Sequence, residues 1–506
     1  MFVVRLIFFM MKTWISYLLI FLLVFVVAQD LNGQASVSFD SIRQQMKETI
    51  DVLPQDAQIR IIRIKVKGNK VTKDYIILRE ISFKEGSYIS AAHLFDAIVK
   101  ARQDVVNTQL FLEVNPVIQK LTEKELEIEF VVKERWYIFP SPHFKIVDRN
   151  VNQWIVEQNA SLERVNYGLK FKWDNVSGRR DRLDFKYING YNRQLILYYE
   201  QPFADKKLEK GFLFGVFYTS NRQTNFATDS NKQVFFPASN HQISDFVRST
   251  FRAEAGITYR KGINHRHYLR FNFVNERISD SIPFIINRNT SKGFLPYFTD
   301  NKTKQSFGEV SYSYSYYDLD NIAYPTKGIA FNGHFLHRGM GFEGMNLWQL
   351  YGKLGKYVPL SKKTFLTFYS IGSVKLPFNQ PTYNLTMMGY GDFYMQGLEY
   401  YVIDGVLAGM LRTSMAQELI RVNVPTFFIK NEKYKKIPFR LIGRVYGNIG
   451  GSHMPFFTTG MLNNRFLYTY GAGLDIISYY DFTARFDYSF NQLGEKGLFL
   501  HVRKDF

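Results

Sequence analysis

The chain contains no cysteine. That excludes disulfides, thiolate metal sites and cysteine nucleophiles, and by itself says nothing of the compartment. Past residue 30 it also lacks any apolar run long enough to cross a bilayer as a helix. No G-x-S-x-G, H-E-x-x-H or phosphate-loop sequence occurs. Gly389-Tyr390-Gly391 and Gly471-Ala472-Gly473 are bare G-x-G and lack the third glycine of a phosphate cradle. His265 and His267 stand two apart on one face of a strand or turn. Two histidines can begin a metal site, but no third ligand accompanies them, and they read as surface histidines. Outer-membrane proteases and phospholipases need Asp/His or Ser/His sets at the lumen mouth; the nine histidines here are scattered, which leaves such an enzyme as a minor alternative. The expectation is a protein with no catalysis, no cofactor and no metal.

What the sequence does have is aromatic residues: 17% of the chain, with 33 Tyr and 47 Phe. Mean hydropathy is nevertheless −0.20. A membrane β-barrel produces this combination, because polar lumen residues cancel lipid-facing ones in any averaging window. The first residues carry the address. Arg5 and Lys12 flank a short apolar patch, residues 13–28 carry no charge, and Gln29 and Asp30 follow. Residues 1–28 therefore read as a secretory signal peptide ending at Ala28, with Met10 or Met11 as an alternative start and a retained anchor as the rival reading. No cysteine follows, which excludes a lipoprotein. The formal charge is +19. The Lys and Arg residues are spread along the strands rather than clustered. They suit contact with outer-membrane lipid and anionic glycolipid better than nucleic acid.

Residues 29–57 form a polar lead-in, and the stretch SIRQQMKETIDVL within it suits a short helix. Residues 58–135 form a compact α+β unit. IRIIRIKVKG alternates as a strand and stops at Gly68-Asn69. VTKDYIILREI follows as a helix capped by Thr72, Gly86 breaks the chain, and Ser90 caps a second helix through Leu94, Ile98, Ala101 and Val105. Two strands, about Phe111–Gln119 and Glu125–Lys133, complete a β-α-α-β-β order. From residue 136 to 506 the chain reads as amphipathic strands. Val310, Tyr312, Tyr314 and Tyr316 alternate with Ser311, Ser313 and Ser315; Leu269, Phe271 and Phe273 alternate with Arg270 and Asn272. Short turns separate some strands, and long polar stretches such as 220–242 and 279–304 separate others. At roughly 23 residues per strand and connection this gives about 16 strands, with fourteen and eighteen as neighbours. The last strand alternates Leu498, Leu500, Val502 and Phe506 with Phe499, His501, Arg503 and Asp505. The fold class is a transmembrane antiparallel β-barrel preceded by one small α+β domain.

The α+β unit resembles a POTRA domain, the periplasmic module of outer-membrane assembly and translocation proteins. Gly68-Asn69, Gly86, Leu110-Phe111 and Glu134 carry that likeness. The stretch GYGDFYMQGLEYYVIDGVLAGMLRTSMAQELIRVNVP (389–425) resembles the sixth loop and following strand of the POTRA-plus-barrel superfamily (BamA/TamA type). There the loop folds into the lumen and an Arg-Gly-aromatic tip pairs with acids on the inner wall. DLDNIAYPTKG (318–328) and YGAGLDIISYYDFTARFDYSF resemble two further hairpins of that family. The tip falls here on Met395, Gln396, Gly397 and Leu398, with Gly391 ahead of it; the wall partners fall on Glu418 and Asn448. The tip Arg has become Gln396 and the wall Asp has become Asn448, which implies a Gln396–Asn448 pair with Glu418 as acceptor, or a lock that is no longer needed. The resemblance implies insertion or translocation of unfolded outer-membrane or secreted clients, without covalent chemistry. Clients would be handled by an open POTRA edge strand (Leu112, Val114 and Val117) and by the barrel seam at Leu498, Leu500, Val502 and Phe506. A dedicated two-partner-type secretor, an accessory paralog within a larger complex with periplasmic or lipoprotein subunits, and a simple porin remain as alternatives.

Overall fold

The computed structural model describes residues 39–54, 56–146, 164–237, 245–340, 344–425, 436–478 and 482–502. The signal peptide, the start of the lead-in and Phe506 lie outside these residues, and so does the side chain of Val502.

Helix α1 (Phe39–Asp51) places Ile42, Met46 and Ile50 on one face, four residues apart. All three are buried, and they share a core with Ile59, Ile61, Leu94, Ile98 and Phe130. The lead-in thus contributes to the domain it precedes. That domain continues as β1 (Gln58–Lys67), α2 (Asp74–Leu78), a short β2 (Tyr88–Ser90), α3 (Ala91–Val106), β3 (Phe111–Thr122) and β4 (Glu125–Glu134). Its sheet order is β2-β1-β4-β3, with β1 and β4 parallel. Alternation in β1 sends Ile59 and Ile61 inward, as a half-buried strand requires. The expected Thr72 cap does not form. The residue preceding α2 is Lys73, and no side chain caps the helix. Thr72 instead lies within 3.0 Å of the Tyr137 hydroxyl and accepts from Asn175 at 2.8 Å. Ser90 does precede α3, but without a side-chain capping bond.

Sixteen antiparallel strands follow, each paired with its neighbours in chain order, from Ile138–Ile146 to Lys496–Val502. A separate hairpin (Thr224–Asp229 with Lys232–Phe236) is set into the long loop after Lys210–Asn221. Period-two alternation sorts the two faces. Ser311, Ser313 and Ser315 are buried, while Tyr312 between them is 42% exposed. Leu195, Leu197, Phe212, Phe214, Phe271 and Phe273 join Tyr312 in an exposed apolar band. In water such a band would be an aggregation surface; in lipid it is the solvated face. Backbone groups pair strand to strand, which is the one way a sheet survives in hydrocarbon.

The ladder has two ends. Ile138–Ile146 pairs only with Val165–Asp174, and Lys496–Val502 pairs only with Thr483–Asn491, among the described residues. The long loops, 222–247, 279–303 and 377–406 among them, leave one end of the strands together with the tight turn at Tyr191, and only shorter connections leave the other end. The α+β domain sits on the opposite end from the long loops, fixed by polar contacts of which the Arg260–Glu80 pair is buried. Arg260, just past the end of a barrel strand, donates from two nitrogens to the Glu80 carboxylate, both at 2.6 Å. Arg79 donates to the carbonyls of Leu208, Arg260 and Gly262 and stacks on Phe203. Lys100 meets Asp318 at 2.6 Å, and Asn107 donates to the Leu319 carbonyl while accepting from the Ile322 amide. Desolvation works against the Glu80 charge, but Arg260 outweighs it and holds the carboxyl below its usual range.

Candidate functional site

Three cross-strand rungs of the inner wall build the site. In the first, Arg444 stands opposite Gly473, which stands opposite Asp487. In the second, Tyr446, Gly471 and Ser489 line up; in the third, Asn448, Thr469 and Asn491. The middle strand carries glycine in two of these rungs, so long side chains can cross it. A methyl at Gly473 would lie 2.3 Å from Asp487 Oδ1 and 3.4 Å from Arg444 Nε. Arg444 crosses there to bond Asp487, and it donates to Asp475 at 3.0 Å. Tyr446 crosses Gly471 to lie 2.6 Å from the Ser489 hydroxyl. Gly471-Ala472-Gly473 is therefore a clearance device in a strand. Asp475 also accepts from Arg485 at 3.2 Å and from the Tyr324 hydroxyl at 2.8 Å. Both carboxylates have no exposed surface, so two acids balance two guanidiniums in a dry site.

The lumen loop rests on the third column of these rungs. Gln396 Nε2 donates to Asp487 Oδ2 at 2.8 Å. Asn491 donates to the Gly397 carbonyl at 2.8 Å. Gly397 has φ +92°, and a methyl there would sit 3.1 Å from Ser489 Cβ, so both conformation and contact require glycine. Gly391, at φ +59°, needs glycine for its backbone alone. Met395 and Leu398 are buried with Phe393, Tyr369, Ile371 and Met410 in an apolar cluster between the loop and the wall. The loop then reaches the final strand. Glu399 lies 3.2 Å from His501, Tyr394 packs at a tilt on His501 at 5.2 Å, and Tyr400 packs on Phe499 at 5.3 Å. Tyr401 donates to Glu495 in the last hairpin at 2.7 Å. The loop thus holds the last two strands from inside.

This differs from the expected pairing. Gln396 does enter the lumen and does meet an acid, but the acid is Asp487, not Asn448. Asn448 lies two strands away on the wall and donates to Thr469 at 2.9 Å. Glu418 lies elsewhere on its strand, where Arg421 and Arg440 engage both its oxygens. The expectation followed chain order to the next strand. The loop instead crosses the lumen to the strands that close the ladder. The wall cation Arg444 and the neutral loop residue Gln396 thus share Asp487.

The hairpin at 318–328 links this site to the α+β domain. Asp320 accepts from the amides of Thr326 and Lys327, and Asn321 accepts from Ala323 and Tyr324. That scaffold directs Tyr324 to Asp475 while the neighbouring Ile322 amide bonds Asn107, just past α3. At the long-loop end Asn231, at the tip of the inserted hairpin, donates to Val402 and Asn463 and accepts from Leu462. Three loops are thereby tied to one another.

The other proposed sites fall as follows. β3 is an edge of its sheet. Val114 points into the core, Leu112 is half-buried and Val117 is 40% exposed. Arg102 already donates to the Val114 carbonyl at 2.8 Å, and Pro116 has no N–H to offer, so this part of the edge is partly blunted. Leu498 and Leu500 project outward, at 69% and 61% exposed. His265 and His267 lie beside the Tyr314 and Tyr312 hydroxyls, each at 2.8 Å. They belong to a cluster of rings rather than a ligand set.

Residues 59–135 match the family described as POTRA, surface antigen variable number repeat. No curated protein matches the chain. Among solved structures, BamA from Haemophilus ducreyi lacking POTRA domains 1–3 is 16% identical, over 88% of this chain and 83% of that one, with TM-score 0.44. CdiB from Escherichia coli is 11% identical, over 88% and 74%, with TM-score 0.47. CdiB from Acinetobacter baumannii is also 11% identical, over 88% and 73%, with TM-score 0.42. A POTRA domain docked on a sixteen-strand up-and-down sheet with a loop folded against its inner wall is the architecture that the sequence resemblance implies.

Proposed function

We propose that this protein inserts or translocates other polypeptides at a bacterial outer membrane, with its POTRA domain in the periplasm and its long loops outside. The observation that carries the reading is the ladder's two free ends. In lipid, each unmade main-chain hydrogen bond costs several kcal/mol. Ile138–Ile146 and Lys496–Val502 are therefore poised to pair with each other or with an incoming strand. The lumen loop bears on the second of these strands through Glu399, Tyr394 and Tyr400, so loop and seam share one equilibrium. No covalent chemistry enters. A porin reading is disfavoured, because a loop packs against the inner wall through an apolar cluster and three loops are tied to one another by Asn231.

Depletion followed by outer-membrane proteomics tests the reading. General loss of barrel proteins supports an assembly role. Loss of one exported protein supports a dedicated secretor. An unchanged proteome with altered small-solute permeability rejects both.

A further inference from the structure

Between the POTRA domain and the end of the lumen opposite the long loops lies a cavity of about 350 Å³. Six cationic side chains line it against three carboxylates. The acids are already engaged. Asp174 is held by Lys172 at 2.7 Å, Asp181 by the Ser177 amide and the Tyr199 hydroxyl, and Glu200 by the Tyr198 hydroxyl. Nearby, Glu80 is consumed by Arg260 and Asp184 by Arg182. Two guanidiniums are left over. The Arg180 side chain has no hydrogen-bond partner among the described residues. Arg266 stacks on Tyr317, but its Nε is buried without a partner. Thr258, only 5% exposed, adds an unpartnered hydroxyl to the same wall.

Arg180 is also held in an awkward place. Its φ is +64°, a conformation that side chains rarely adopt, and Asn175 fixes it by accepting from the Arg180 amide at 2.8 Å. Shielding from water, then the charges of Arg266 and Arg260, pull its pKa down to about 9. Like charges collected around unused donors are a cost unless something anionic joins them. Guanidiniums present planar pairs of donors that match phosphate oxygens.

We propose that this cavity is a phosphate-binding site, with Arg180, Arg266 and Thr258 as its unfilled donors. The cavity is large enough for more than a bare ion, so free phosphate and a phospholipid headgroup share the chemistry it would take. The proposal does not depend on how clients are handled.

The test uses the full chain in maltoside detergent. Its thermal midpoint is measured against inorganic phosphate, with sodium chloride at matched ionic strength as control. Phosphate should raise the midpoint saturably. Arg180→Gln and Arg266→Gln should each weaken the half-saturating concentration about tenfold or more, the loss of one charge-assisted contact. Without phosphate, Arg180→Gln should melt no lower than the parent, because it relieves repulsion. Arg266→Gln provides an independent readout if Arg180→Gln fails to fold. Native mass spectrometry after reconstitution in phospholipid nanodiscs then separates the sources. A retained phospholipid that the variants lose assigns the headgroup, and a phosphate response with no retained lipid assigns the free anion. No phosphate-specific shift in the parent, or an equal shift in both variants, overturns the site.

Discussion

Moving the wall cation onto the loop should restore what removing it would break. The dry cluster holds Arg444 and Arg485 against Asp475 and Asp487, with Gln396 as a neutral donor to Asp487. Arg444→Gln leaves Asp487 with hydrogen bonds but no cation, and removing one partner of a buried pair costs about 3–5 kcal/mol. Gln396→Arg alone adds a third cation to two carboxylates, which should destabilise by about 1–3 kcal/mol through crowding and like-charge repulsion. The double variant returns the balance to two and two, with the arginine now on the loop. Its loss should be smaller than the sum of the singles by at least about 2 kcal/mol, the size expected for groups sharing one network. The assay is denaturant or thermal unfolding of the four proteins of the cycle in detergent, with the heat-modifiable gel shift as a check on barrel integrity. Additive losses would refute the idea that an arginine at position 396 can take over the charge of Arg444.

Gly473→Ala should be as damaging as Arg444→Gln, because its methyl would fall 2.3 Å from Asp487 Oδ1; a melting midpoint within error of the parent would contradict the clearance argument. Glu80→Ala should loosen the POTRA domain by about 3–5 kcal/mol, seen as faster amide exchange across α2 with the barrel strands unchanged. Burial raises Asp104 to about 6 despite the opposing pull of Lys100, with Glu80 and Asp318 adding to the rise. A carboxylate raised above its unfolded value destabilises when charged, so stability should rise as pH falls from 7.5 through 6. Below the usual carboxylate range the depressed Glu80 then loses its contribution. Asp104→Asn should flatten the rise between pH 7.5 and 5.5, and an unchanged slope would assign it to another group.

The architecture was legible because its signals are periodic. Alternation such as Tyr312, Tyr314 and Tyr316 against serines fixes a strand and its faces without knowledge of any partner. The wall network was less legible, because it depends on which strands lie two apart in the sheet. Arg444, Gly473 and Asp487 are far apart in sequence and meet only through register. Asp475 and Asp487 are acids on the inward, polar faces of their strands, a signal that the sequence carries but that chain order alone does not connect to the loop. The choice of Asn448 as partner came from following the chain to the next strand, whereas the loop crosses the lumen. Thr72 was read as a helix cap, its commonest local use, when the tertiary neighbours Tyr137 and Asn175 claim it. The helix at Phe39–Asp51 joined the core because Ile42, Met46 and Ile50 repeat every four residues, a stripe that the polar surroundings concealed.

The central claim is that polypeptides pass by the seam formed by Ile138–Ile146 and Lys496–Val502. It is tested most directly by photo-cross-linkers placed at Leu498 and Leu500, compared with equally exposed Leu350 and Ile257 in mid-sheet strands. Client adducts concentrated at Leu498 and Leu500, and weakened when the loop is locked to the wall by an engineered cross-link, are the predicted result. Adducts distributed equally over all four positions, or absent from the seam while the protein remains active, would contradict it.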